Sequence, residues 1–232
     1  MEALLASAAE VPPPAVAFGE PDLLADLPGD VPELLALLPH ADVYLQDEVQ
    51  FALHPTLTRV WCRRGRRGQR LVEAPGTNAK RHGFGLVDWR DGWFDGRLAP
   101  GRTAAAFCEQ LEAAVARSWA RGRVAIVIAD NLSTHTAAGS KLVRQLLADR
   151  AAQLRLVYTP PYDPDANPIE RLWRVARRAV THTHRRTDLD ALSGDATAHF
   201  QALCADPAAV LRHIGSPFAA APAVSPPEDA AA

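Results

Sequence analysis

The sequence predicts an α/β domain built on a mixed sheet flanked by helices, and three observations carry that prediction. Two strand-like stretches flank Asp91-Gly92, a dipeptide that signals a tight hairpin. The run VAIVIA at 124–129 is continuously apolar, the pattern of a central strand buried on both faces. From residue 103 onward, helical periodicity alternates with short strand-like runs, which is the order of an α/β domain.

Along the chain, residues 1–40 are rich in Ala, Leu and Pro. Pro12, Pro13, Pro14, Pro21, Pro28 and Pro39 interrupt any long element there, so the stretch reads as an acidic, Pro-rich linker or remnant. Residues 42–51 (DVYLQDEVQF) alternate as a strand does. Residues 57–62 and 69–73 are the next strand candidates, joined by a Gly-containing loop of arginines. Residues 83–89 and 93–98 form the hairpin. Over 103–120, Phe107, Leu111, Val115 and Trp119 recur every four residues, which makes a helical stripe. After the strand at 124–129, a second helix at 140–151 turns Leu142, Val143, Leu146 and Leu147 inward. Residues 154–158 form a short strand. A third helix at 168–180 carries the stripe Ile169, Leu172, Trp173, Ala176 and Val180, and a fourth covers 189–203. The folded domain is thus expected over 41–213, and the Ala/Pro-rich stretch 214–232 reads as a disordered tail.

A chain of 232 residues, 48% of them hydrophobic, can bury a core without help from disulfides or metals. No apolar run approaches the ~20 residues of a membrane-spanning helix. Residues 1–10 lack the basic start of a secretory leader. Cys62, Cys108 and Cys204 are odd in number and far apart, which excludes a disulfide framework and fits a reducing, cytoplasmic compartment. The net charge of -2 hides a division: residues 1–58 hold ten acids and no Lys or Arg, whereas all 25 basic residues follow. The basic part is suited to a polyanion. The sequence has no Gly-x-Ser-x-Gly and no phosphate-binding Gly-Lys-Ser/Thr loop. Trp61, Trp89, Trp93 and Trp119 read as core residues.

Three acids stand out by position. Asp47 lies in the first strand, Asp130 just past the carboxyl end of the buried strand, and Glu170 near the start of the third helix. Carboxylates from separate elements can hold a pair of divalent metals about 4 Å apart that act on a phosphodiester. Hard oxygen ligands select Mg²⁺ or Mn²⁺. Each acid also has a plain structural reading. Asp47 can be an edge-strand acid, and Asp130-Asn131 can start a turn. Glu170 can close a reciprocal cap with Asn167, with Pro168 at the first helical position. Arg63, Arg64, Arg66 and Arg67 form a loop that can track DNA, and Arg174, Arg177 and Arg178 follow Glu170 on successive turns where they can hold a phosphate backbone. Solvated basic faces have the same composition.

The run YTPPYDPDANPIERLW at 158–173, the segment Asp130-Asn131-Leu132-Ser133-Thr134-His135, and Gln46-Asp47-Glu48 followed by Arg59, Trp61 and Gly65 resemble three motifs in register. They are those of bacterial insertion-sequence transposases in the mariner-related superfamily, the DDE superfamily endonucleases. The resemblance covers about residues 42–200 and implies a ribonuclease-H-like catalytic domain. It further implies that Asp47, Asp130 and Glu170 are the catalytic, metal-binding acids of a two-metal site. Asp47 is taken over Glu48 because that family places its ligand first in the pair, and strand alternation agrees that only one of the two faces the site.

Asn131 and His135 match the pattern as accessory residues; His135 can orient a carboxylate, contact DNA or fill a structural place. The implied reaction is cleavage of DNA strands and their transfer during transposition, on transposon ends and target DNA, by a homodimer. Relatives carry helix-turn-helix modules ahead of this domain. The expectation here is a domain without one, assisted by a separate DNA-binding chain; the alternative is a catalytically silent remnant or DNA-binding regulator. The acids are 83 and 40 positions apart, and the second interval implies an extended loop around 149–153.

Overall fold

The computed structural model describes residues 40–59, 61, 64, 75–159 and 167–219. The linker at 1–39, the strand candidate at 69–73, Arg63, Arg66 and Arg67, and the chain beyond 219 lie outside the described residues.

Five strands form one mixed sheet in the order β3-β2-β1-β4-β5. They are β1 (Ala41–Ala52), β2 (Lys80–Asp88), β3 (Phe94–Ala99), β4 (Val124–Ala129) and β5 (Leu154–Tyr158). β1 is central. It pairs antiparallel with β2, placing Asp47 opposite Gly85, and parallel with β4, placing Val43 opposite Ile126. The β2–β3 turn is the predicted hairpin. Asp88 N–H donates to the Trp93 carbonyl at 2.8 Å, and Gly92 supplies the positive φ of 74° that the turn needs. Residues 57–59, expected to begin a strand, carry none, and only Thr56 makes an isolated bridge, to His182.

Helices cover both faces because β1 and β4 are apolar on both. Two of them, α1 (Ala104–Trp119) and α2 (Lys141–Asp149), pack with Tyr44, Leu86, Ala125, Val127 and Leu154 on one face. On the other, α3 (Ile169–Val180), α4 (Leu189–Ala205) and α5 (Pro207–Ile214) pack with Val43, Leu45, Val49, Phe51 and Ile126. The α3 stripe is buried as predicted, from Ile169 through Val180. Leu142 is not inward: it is 56% exposed at the start of α2, with Val143 and Leu146 buried in its place. Trp61 is fully exposed, and of the other three tryptophans expected in the core only Trp89 is fully buried. Only four residues, 150–153, separate α2 from β5, so no extended loop lies there. The fold also continues past 213. Asp206 caps α5 by accepting from Ala209 N–H at 2.9 Å, Ser216 Oγ donates to the Trp89 carbonyl at 2.7 Å, and Phe218 packs edge-on against Trp89.

The second face is an aromatic layer. Phe51, Phe94, Trp173 and Phe200 meet with ring centroids 5.5–6.3 Å apart. β2 makes room for them by presenting Gly83 and Gly85 on that face, where any Cβ would strike Phe200 or Trp173. At the opposite end of the sheet from the carboxyl end of β4, the fully buried Asp42 and Asp88 are matched by Arg121 and Arg123. Arg121 lies 3.0 Å from Asp88, and Arg123 lies 2.8 Å from Asp42. Buried carboxylates require such partners.

Candidate active site

Alternation along β1 sends Asp47 to the α3 face and Glu48 to the α1 face. The Oδ2 of Asp47 accepts from Trp173 Nε1–H at 3.0 Å. Trp173, fully buried, lies against Gly85, the residue opposite Asp47 in the sheet. Burial raises the Asp47 carboxyl to about 7, and the negative charges of Glu170 and Asp130 push the same way. Asp47 therefore feels the charges of the other two predicted acids. Glu170 sits in the first turn of α3, half-buried, with its Oε2 3.8 Å from Arg177.

Asn167 fixes that helix start against the site. Its Nδ2–H donates to the Gln46 carbonyl at 2.9 Å, and its Oδ1 accepts from Ile169 N–H at 3.4 Å. The reciprocal cap expected from Asn167 and Glu170 does not form. The Asn167 oxygen meets Ile169 N–H rather than Glu170 N–H, and the Glu170 carboxylate is turned toward Arg177.

Asp130 follows the last residue of β4 and is half exposed. Its Oδ1 accepts from Leu132 N–H at 3.3 Å and from His135 Nδ1 at 2.5 Å. The His135 hydrogen bond is the main reason its carboxyl lies below the usual range. His135 is 1% exposed and stacks on Phe107 with centroids 4.2 Å apart. Its Nε2 lies 3.2 Å from Glu48 Oε1, and its carbonyl accepts from Tyr158 Oη–H at 3.0 Å. Burial alone would lower the imidazole, but the hydrogen bonds to Asp130 and Glu48 outweigh it and lift it to about 9. The geometry buries His135 and sets one ring nitrogen against each of two carboxylates, Asp130 and Glu48. Sequence reasoning missed Trp173 beside Asp47, and Glu48, Phe107 and Tyr158 around His135. Only the i, i+5 spacing of Asp130 and His135 hinted at one of these bonds.

Among the described residues, no three acidic, His or Cys side chains stand close enough together to grip an ion as they are. The donor set nevertheless fits a hard divalent cation. Burial and, beside it, the charges of Glu170 and Asp130 raise Asp47, and a cation relieves that repulsion. Arg174 and Arg178 project into solvent from α3, and Arg64 is exposed. Arg171, by contrast, donates to the Ile214 carbonyl at 3.3 Å and ties α3 to α5. Asn131 is exposed on the lip of a cavity of about 580 Å³ between the 136–138 loop, α2 and β5.

The family described as DDE superfamily endonuclease matches residues 42–193. A curated relative, an uncharacterized 39 kDa protein of insertion element IS630 from Shigella sonnei, is 28% identical over 143 residues. Those residues are 62% of this chain and 40% of that protein, so the chain spans well under half the length of its relative. Among solved structures, the Mos1 mariner paired-end complex with Mn aligns with a TM-score of 0.54 and 17% identity, covering 75% of this chain and 51% of that one. The Mos1 strand transfer complex aligns with a TM-score of 0.52 and 18% identity, covering 78% and 52%. Both share the ribonuclease-H-like fold of this mixed sheet.

Proposed function

The chain belongs to the DDE superfamily endonuclease family, and from that premise we propose that it is the catalytic domain of a DNA transposase. Its reaction is metal-dependent cleavage of DNA strands and attack of the freed 3′-hydroxyl on a target phosphodiester, which joins the two DNAs and releases a 3′-hydroxyl of the target. The observation that carries the reading is the placement of Asp47 on β1, of Asp130 just past the end of β4, the parallel neighbour of β1, and of Glu170 in the first turn of α3, which Asn167 ties to the Gln46 carbonyl of β1. The relative encoded by an insertion element and the Mos1 complex with Mn support the same reading.

Asp47, Asp130 and Glu170 would hold Mg²⁺ or Mn²⁺, which when bound supplies Lewis-acid assistance to displacement at phosphorus. The chain's own residues prepare that site. Trp173 fixes one oxygen of Asp47, and His135 fixes one oxygen of Asp130. Asn167 pins the first turn of α3, which carries Glu170, to β1. Arg174 and Arg178 on α3 would contact the DNA backbone, as would the arginines of the sequence run 63–67, through contacts that position rather than read sequence. Arg177 faces Glu170 and would be open to a phosphate if that carboxylate were engaged by a metal.

A nicking assay on supercoiled plasmid with Mn²⁺ tests the proposal. The wild-type chain nicks, and Asp130→Asn does not. Equal behaviour of the two proteins overturns it.

A further inference from the structure

Glu48 was set aside in the sequence in favour of Asp47, yet it is one of the most confined carboxylates in the fold. Its side chain is 3% exposed, and both oxygens are engaged: Oε1 by His135 Nε2 at 3.2 Å, and Oε2 by Arg102 Nε at 2.9 Å. A buried carboxylate is costly without such partners. His135 in turn faces a carboxylate oxygen with each ring nitrogen, so both nitrogens donate. The ring cannot swing away. Phe107 stacks on one face at 4.2 Å with an interplanar angle of 20°, and Tyr158 holds its backbone carbonyl. Asp130, by contrast, sits half exposed on a turn beyond the end of β4. Fixing its Oδ1 through this chain fixes the plane in which its other oxygen is offered.

We propose that Glu48 is a positioning residue that acts through His135 to orient Asp130 toward the metal. The proposal rests on the reading of Asp130 as a metal ligand. Two consecutive residues of β1 thereby set two of the three acids. Asp47 faces α3 itself, while Glu48, on the opposite face, reaches Asp130 through an imidazole. Outer partners of metal-binding side chains are known to govern affinity as well as activity.

The test is Mn²⁺ binding to the full chain, followed by the electron paramagnetic resonance signal of the free ion, with the melting temperature of the metal-free protein as a check on folding. Glu48→Gln keeps an acceptor for His135 and is expected to bind Mn²⁺ within about threefold of wild type, whereas Glu48→Ala binds about 10–100-fold more weakly. If the alanine variant is unfolded, Glu48→Asp decides. It keeps the charge but withdraws it by one methylene from His135, and is expected to weaken binding about tenfold. A merely structural role would lower the melting temperature and leave the affinity of the folded protein unchanged, and that result overturns the proposal. Asp130→Asn is run beside them. If it also binds Mn²⁺ like wild type, the ligand reading of Asp130 falls. If it binds weakly while Glu48→Ala and Glu48→Asp do not, only the positioning role falls.

Discussion

Gly85→Ala joins the packing of the sheet to the geometry of the site, and its cost can be worked from contacts. A Cβ at Gly85 would lie 2.6 Å from Trp173 Cζ2 and closer still to Cη2, with Phe94 at 3.1 Å. Trp173 cannot retreat freely. It is fully buried, packs against Phe94 and Phe200, and is bonded to Asp47 at 3.0 Å. Overpacking of this kind costs about 1–3 kcal/mol. For a domain of this size that lowers the melting temperature by about 2–4 °C per kcal/mol, so the expected drop is about 2–12 °C. If the indole tilts to make room, its N–H leaves Asp47, and Mn²⁺-dependent nicking falls by about an order of magnitude, equivalent to about 1.4 kcal/mol. A double-mutant cycle isolates the cause. A phenyl ring at 173 lacks the outer indole carbons, so in a Trp173→Phe background the added methyl fits and the two changes couple by at least about 1 kcal/mol. Should Gly85→Ala cost the same in both backgrounds, measured by urea melts, the clash with Trp173 is not its origin.

Two further outcomes are expected. Arg174→Ala and Arg178→Ala remove exposed cations from α3, so each should leave the melting temperature unchanged and reduce the slope of log Kobs against log salt for DNA binding by about 1; a fall in affinity with no change in slope would argue against phosphate contacts. His199, on α4, has its Nε2 buried without a hydrogen bond among the described residues, and burial, with His213 nearby, holds its pKa below the ordinary 6.5. The unfolded chain therefore takes up that proton first on acidification. The His199 contribution to stability is complete above pH 6.5 and is lost as pH falls through 6.5 toward the lower folded value. Urea melts from pH 7.5 to 5.5 should show His199→Gln losing less stability than wild type, and parallel curves would refute this.

The fold was legible where local pattern and tertiary demand agree. VAIVIA at 124–129 is apolar on both faces because both faces are covered, and Ile169 through Val180 show a helical stripe because one side of α3 meets the sheet. Leu142 shows the limit of periodicity. At the first turn of a nine-residue helix, Val143 and Leu146 suffice for the contact, and Leu142 is left in solvent. Helix α5 was overlooked although its punctuation is written out: Asp206 at the cap, Pro207 next, and Gly215 after the last residue. Eight residues between two such signals were too few to register as a periodic stripe.

The site was legible to a different degree, because its acids are local features and their supports are not. Asp47, Asp130 and Glu170 each carry a positional mark in the sequence: a strand, a strand end, a helix start. Trp173 carries none. Its place in an apolar stripe predicts burial, and nothing nearby says that its N–H will meet a carboxylate 126 positions earlier. The same holds for Glu48 and His135, 87 positions apart. Alternation could state that Asp47 and Glu48 face opposite sides. It could not state that the second side also leads to Asp130, because that follows only once α1 has brought Phe107 beneath the imidazole and the turn after β4 has folded His135 back over it. Glu48, on the face opposite Asp47, is placed by that alternation where it meets the imidazole of His135, the partner of Asp130.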